Sequence, residues 1–484
     1  STELTGGAPA APREFYADDR GGFLQDLSPD GTRALFVREN GDEDDVVFEV
    51  EVATGKATRI FPAEAAKAGA GAVYSAKGDR ILVSTQSEGH ASELLAFDRA
   101  TRKLAARYEE SALPTASIED VSVARSGDAL ALEIDAGNHT ELRLLDARSL
   151  KPLRPVTAPL GALTLGASSP DGKRFSLTIS RPDAPSEIAT LDLKTGAITP
   201  LRADERPGLA SMPALKASIE SVTATDGLKV PVNLYLPEQA SGKLPTILLV
   251  HGGPSGSSEM RFNPDVRFFT ALGYAIVEPN IRGSSGFGVA YQNADNKEKR
   301  GDALKDVETI HAWAAAQPWC DPSRTIIMGQ SYGGYMTLLA LARQPKLWRA
   351  GVDLSGMSDL RTMEKLEDQS IRVYDETEFG VLGKEDDLLF EWSPLKHVGD
   401  VVAPLFVYQG KNDPITPQNE ADQMVKALRQ RRVPVEYMLL DDEGHGIVRR
   451  ANRAVFLARV ARFLGDHAGP GATPGTPGAA GSSP

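Results

Sequence analysis

The chain has 484 residues, 41% of them apolar and 25% charged, with 53 basic against 66 acidic side chains, a net charge of −13. This length fits two or three domains and the composition is that of a globular protein, which excludes disorder throughout. No run approaches 18 uncharged apolar residues, so no membrane-spanning helix is expected. The acidic surface repels phosphate backbones, which argues against a nucleic-acid partner.

Cys320 is the single cysteine, so neither an internal disulfide nor a multi-cysteine zinc site is available. The Gly- and Pro-rich opening over residues 6–12 resembles the start of a processed exported chain. The expected location is therefore periplasmic or secreted, with the cytoplasm as the alternative.

The first 212 residues are repetitive. Ser28-Pro29-Asp30-Gly31, Ser75-Ala76-Lys77-Gly78, Ser126-Gly127 and Ser169-Pro170-Asp171-Gly172 each precede a short apolar run, and their glycines lie 47, 49 and 45 residues apart. Glycine suits a turn that needs positive φ, and the flanking runs tend to alternate as half-buried strands do. One such unit cannot bury its own faces, so four units are expected to stack as blades of a β-propeller; a β-sandwich is the alternative. The acidic run Asp42 to Asp45 reads as a solvated loop between strands, with a calcium site as the alternative.

From residue 213 to 466 the pattern changes. Continuous apolar runs such as Ile247 to Val250, Ile326 to Met328 and Leu405 to Tyr408 fit strands buried on both faces. Helical stretches separate them, which predicts an α/β domain with a mostly parallel sheet. Residues 467–484, with five glycines and four prolines, are expected to be a disordered tail.

Gly329-Gln330-Ser331-Tyr332-Gly333 lies between the Ile326 strand and a helix, the context of a nucleophile elbow. A serine hydroxyl needs a base, and the expected order is Ser, then acid, then His. Asp413 follows the strand Leu405 to Tyr408, and His445 follows the strand Val435 to Leu440 between two glycines. The reading is Ser331 as nucleophile, His445 as general base and then acid, and Asp413 as the orienting carboxylate. Asp353, Asp441 and Asp442 are rival acids, and His311 and His397 read as structural. The loop His251-Gly252-Gly253-Pro254 directly follows an early strand, where a second oxyanion donor belongs. The amides of Gly253 and Tyr332 are the expected pair, with Gly252 the rival. Arg282 to Gly286 lacks the lysine of a phosphate loop and reads as a packing loop beside the site.

Together these motifs, with Asn280 to Gly288 and Glu443-Gly444-His445-Gly446, resemble the prolyl oligopeptidase family of serine peptidases, most closely its acylaminoacyl-peptidase and dipeptidyl-peptidase-like branch. The resemblance is strong over residues 215–466 and only architectural before that. It implies an α/β-hydrolase domain capped by a propeller, the triad Ser331, Asp413 and His445, and cleavage of short peptides. Family members commonly carry seven or eight blades, whereas four repeats are visible here. Prolyl oligopeptidases place a tyrosine hydroxyl where this chain has His251; the acylaminoacyl branch uses a backbone amide. The resemblance also implies an apolar substrate pocket after Leu354, here Met357, Leu360 and Met363, which fit core positions at helical spacing equally well. The expected partners are short peptides, with no metal or cofactor, and a second subunit that closes the small cap. The alternatives are a carboxylesterase with the same triad and a non-catalytic propeller that binds a partner.

Overall fold

The computed structural model describes residues 13–19, 21–38, 44–63, 69–202, 205–239, 242–366, 369–469 and 471. The opening over residues 6–12, Asp42 and Glu43 of the acidic run, and residues 472–484 of the expected tail lie outside these. The chain divides into two compact units, one built on strands β1–β16 and the other on β17–β24 and the helices.

The first unit holds four sheets of four consecutive strands each. They are β1–β4 (Phe23–Leu27, Arg33–Arg38, Val46–Glu51, Ala57–Phe61), β5–β8 (Gly69–Tyr74, Arg80–Gln86, Glu93–Asp98, Leu104–Glu109), β9–β12 (Ser117–Val123, Ala129–Asp135, Thr140–Asp146, Pro152–Pro155) and β13–β16 (Ala162–Ser168, Arg174–Arg181, Ala184–Asp192, Ile198–Pro200). These are four propeller blades, one per sequence repeat. The repeated turn joins the first and second strands of each blade. Gly31 donates to the Ser28 carbonyl at 2.8 Å, Ser28 Oγ donates to Asp30 at 2.6 Å, and the same turn recurs at Ser169. The turn closes only with positive φ, 68° at Gly31 and 69° at Gly172.

The blades stack in series. Separate apolar clusters join the first to the second blade around Leu35, Val47 and Val83, the second to the third around Leu94 and Leu132, and the third to the fourth around Leu144 and Phe175. The turns stack too. A Cβ at Gly78 would sit 2.9 Å from Pro29, and one at Gly172 would sit 2.5 Å from Ser126 N, but one at Gly31 would meet open space. The outer face of the first blade is covered by the segment before it. The Tyr16 ring meets Phe36 edge-on at 5.1 Å, and Arg38 pairs with Asp18. The fourth blade alternates instead: Phe175, Leu177 and Ile179 are buried, and Ser176 and Thr178 between them are not. Asp45 is not solvated as expected; it is buried and accepts the Ala70 N–H at 2.8 Å, tying the first blade to the second.

The second unit is an eight-stranded sheet in the order β17-β18-β20-β19-β21-β22-β23-β24. Its strands are Leu215–Thr223, Lys229–Pro237, Leu244–Val250, Ala275–Pro279, Cys320–Gln330, Ala350–Leu354, Leu405–Gly410 and Val435–Leu440. β17, β18 and β20 pair antiparallel, and the sheet is parallel from β20 onward. The main helices are α1 (Pro264–Ala271), α2 (Arg300–Ala315), α3 (Tyr332–Arg343), α4 (Leu360–Leu366), α5 (Gln369–Glu378), α6 (Gln418–Gln430) and α7 (Arg450–Ala468). Two apolar layers flank the sheet. One joins it to α2, α3, α4 and α6, and the other to α1 and α7. Among the described residues no helix is long and apolar enough to cross a membrane.

The last helix runs further than expected. His467 and Ala468 finish α7, because the His467 ring packs 4.7 Å from Phe463 and Ala468 is buried. Gly469 is held as well, its carbonyl accepting the Tyr274 hydroxyl at 3.2 Å.

Stacked turns predict unequal costs for equal substitutions. Gly172→Ala combines backbone strain with overlap and should destabilise the first unit by about 1–3 kcal/mol. Gly31→Ala meets only the strain and should cost less. Urea unfolding of both variants checks the order.

Candidate active site

The site collects at the carboxyl ends of the parallel strands, where an open α/β sheet leaves room for a ligand. β21 ends in Gln330, and Ser331 stands before α3 with φ 59° and ψ −122°. This sharp turn is why the flanking glycines are needed. A Cβ on Gly329 would overlap the Gly333 backbone, and one on Gly333 would overlap the Val250 carbonyl. The Ser331 N–H donates to the Leu354 carbonyl at 2.9 Å, which fixes the elbow to β22. Tyr332 is the first residue of α3, so its N–H belongs to the helix end that has no partner within the helix.

The loop after β23 supplies Asp413 and the loop after β24 supplies His445. His445 Nδ1 lies 2.8 Å from Asp413 Oδ2 and 3.1 Å from Oδ1. The N–H groups of Ile415 and Thr416 both donate to Asp413 Oδ1 at 2.9 Å. Burial pushes the Asp413 carboxyl upward, but His445 and these two N–H groups outweigh it and hold the carboxyl below its ordinary range. A carboxylate against Nδ1 requires the proton there, so Nε2 is left with its lone pair. Gln330, the neighbour of Ser331, donates to the His445 carbonyl at 2.7 Å and ties the elbow to the histidine loop. Among the described residues no hydrogen bond joins the Ser331 hydroxyl to the His445 ring; such contacts tighten when substrate arrives.

The rival acids are elsewhere. Asp353 is buried, accepts the Gly356 N–H at 3.0 Å, and is pushed up to about 7 by burial. Asp441 and Asp442 are exposed and pair with Lys411 and Arg449. His311 bonds Thr325 and His397 contacts Glu391, as structural histidines do.

His251 fixes the peptide between the two candidate glycines. Its Nδ1 lies 2.7 Å from the Gly252 carbonyl, and its Nε2 lies 2.8 Å from Ser284 Oγ. Burial lowers its affinity for a proton, and Nδ1, which faces a carbonyl that can only accept, carries an N–H and donates to it. C=O and N–H point opposite ways across a trans peptide, so fixing the Gly252 carbonyl turns the Gly253 N–H the other way. The approach is close: a Cβ on Gly252 would sit 3.5 Å from Ser331 Cβ. Ser284 comes from the packing loop, whose Arg282 is clamped by both oxygens of Asp306 at 2.8 Å.

The sequence reading missed what holds Tyr332. Arg300 is buried between Asp295 and Glu378, and Tyr332 donates its hydroxyl to Asp295 at 2.8 Å. Tyr332 and Glu378 come from segments distant from Asp295 and Arg300, and no local signal links all four. Met357, Leu360 and Met363 are brought together, but as core against α3 rather than as walls of an open cleft; all three are buried. The cavity beside the elbow has other walls: it holds about 240 Å³ and is lined by Leu249, Gly252, Glu278, Met328 and Gln330. Among the described residues no cluster of three potential metal ligands occurs.

A mixed sheet with α3 behind a strained serine defines an α/β hydrolase. Residues 260–471 match the prolyl oligopeptidase family, and the chain belongs to that family. It is 32% identical over 346 residues to dipeptidyl aminopeptidase BIII of Pseudoxanthomonas mexicana, covering 68% of this chain and 49% of that protein. It is 31% identical over 363 residues to dipeptidyl peptidase family member 6 of Caenorhabditis elegans, covering 67% of this chain and 48% of that one. The chain thus spans about half the length of these relatives. A crystal structure of puromycin hydrolase shares the fold, with a TM-score of 0.81 at 20% identity over 91% of this chain and 68% of that one.

The Asp413 environment has a pH signature. Its carboxyl is lowered in the folded state, so it stabilises the fold fully above the unfolded value of about 4. That contribution is lost as pH falls through the lower folded value. The stability difference between wild type and Asp413→Asn should therefore be largest near neutrality and shrink in acid, as urea titrations from pH 7 to pH 2 would record.

Proposed function

We propose that this chain is a serine peptidase that hydrolyses short peptides through an acyl-enzyme, like acylaminoacyl and dipeptidyl peptidases. The observation that carries this reading is the His445–Asp413 pair tied through Gln330 to a strained Ser331. Ser331 Oγ attacks the peptide carbonyl while His445 Nε2, the nitrogen left free by Asp413, takes its proton. The Gly253 and Tyr332 N–H groups receive the oxyanion. His445 then returns the proton to the leaving amine, and water releases the acyl group by the same route. Asp413 keeps its charge throughout and stabilises the imidazolium. The relatives support peptides as the substrate class, since the two named above are a dipeptidyl aminopeptidase and a dipeptidyl peptidase family member.

Ser331→Ala should abolish fluorophosphonate labelling and lower turnover by about 10⁴-fold or more. Equal labelling of that variant, or none of wild type, would refute the assignment. Aminoacyl, acetyl-aminoacyl and dipeptidyl anilides run beside short nitrophenyl esters test the substrate class; turnover of the esters alone would mean a carboxylesterase.

His251→Ala should reduce kcat by about 10²–10³-fold with little change in KM, because the oxyanion donor loses its fixed orientation. Steady-state kinetics on the best anilide measures both constants.

A further inference from the structure

β20 runs through the middle of the sheet, and all five of its residues are buried. Four are apolar; the fourth in order, Glu278, is not. Its side chain shares the α1 and α7 side of the sheet with Ile276 and reaches the 240 Å³ cavity beside the elbow. Glu278 is 5% exposed and has no ion-pair partner among the described residues; the donors that face it, Tyr235, Asn233 and Asn263, are uncharged. A buried carboxylate without a countercharge is costly to hold.

The groups around it supply little of that charge. Asn233 Nδ2 donates to the Ser258 carbonyl at 2.7 Å, and the Asn233 and Asn263 amides offer Glu278 only uncharged donors. The Tyr235 hydroxyl faces Glu278 and is buried without a partner. Arg261 lies at the rim, 61% exposed, and is engaged with Glu259 at 3.7 Å. Burial pushes the Glu278 carboxyl up to about 7, because the charged form lacks a full countercharge there.

The position of the cavity gives the cation a place in the reaction. Gly252 lies against Ser331, and Gln330 holds the loop of His445, the group that protonates the leaving amine. The core around Met357 and Met363 lies on the opposite face of the sheet. With a volume below the roughly 300–1,000 Å³ of a whole-ligand cleft, the cavity suits one side chain.

We infer that this cavity is a specificity subsite in which Glu278 pairs with a cationic side chain, lysine or arginine, of the leaving peptide. The inference rests on the peptidase reading for its place in the reaction, but not for the binding of the cation. Leu249 and Met328 would receive the aliphatic stem, and the Tyr235 hydroxyl would turn to the carboxylate.

Two measurements test it. Peptides differing only in the residue after the scissile bond, lysine, arginine or norleucine, should be cleaved with kcat/KM about tenfold or more higher for the cationic pair. Glu278→Gln should remove that preference and leave the norleucine rate within about threefold. Arg261→Gln, which removes the competing cation at the rim, should sharpen it. A preference absent from wild type, or unchanged in Glu278→Gln, overturns the subsite. Separately, n-butylammonium and n-butylguanidinium should bind Ser331→Ala protein in calorimetry, n-butanol should not, and Glu278→Gln should cancel the difference. Equal binding by the double variant, or none by either, overturns the cation site. Cation binding that depends on Glu278, in a protein that cleaves no peptide, refutes the peptidase reading and the leaving-group placement while the cation site stands.

Discussion

The backbone of Ser331 is the constraint on which this site depends. At φ 59° a side-chain-bearing residue is strained, and only an over-determined surrounding holds it there. The surroundings here are the Gly329–Gly333 contact, the Val250 carbonyl behind Gly333, and the bond from Ser331 N–H to Leu354. Each comes from a different strand or from the helix. The strain that presents one hydroxyl is therefore borne by β19, β21, β22 and α3 together, and any loosening of that core is felt at Ser331.

The supporting shell follows the same plan. Buried polar groups each fix one piece of backbone. His251 turns the Gly253 amide, Gln330 holds the histidine loop, and Glu443 accepts the N–H groups of Val448 and Arg449 at 3.1 and 3.0 Å. The Arg300, Asp295 and Glu378 cluster does this for Tyr332 at the start of α3. Buried ion pairs add little net stability, because desolvation offsets their attraction. Here their effect is geometric, since they restrict the residue next to Ser331 to one pose.

The sequence carried some of this clearly. The Ser-Pro-Asp-Gly turns are legible because turn chemistry is local, and their period marks four blades. The elbow, Asp413 and His445 are legible because strand ends and chain order constrain them. Other features depend on contacts between distant segments. Arg300 and Glu378 are 78 residues apart and meet only in the fold. The end of α7 was misplaced because Phe463 and His467 stabilise a turn that composition assigns to the tail. Met357, Leu360 and Met363 carry a helical spacing that serves core and pocket alike, and burial decided for the core. Glu278 was readable as an anomaly, a lone carboxylate after Ala275-Ile276-Val277, but its lack of an ion-pair partner among the described residues was not.

The serial stacking of the blades has a thermodynamic meaning. Each blade buries apolar residues mainly against the next, and its turn rests on the one before, so the unit behaves as a one-dimensional array with nearest-neighbour couplings. In such an array stability is a sum over interfaces, and the ends need only a cover or a polar face. Tyr16 and Asp18 provide the cover, and Ser176 and Thr178 the polar face. Whole blades are then interchangeable increments of length, and the number of them is a parameter that evolution or a designer adjusts one interface at a time.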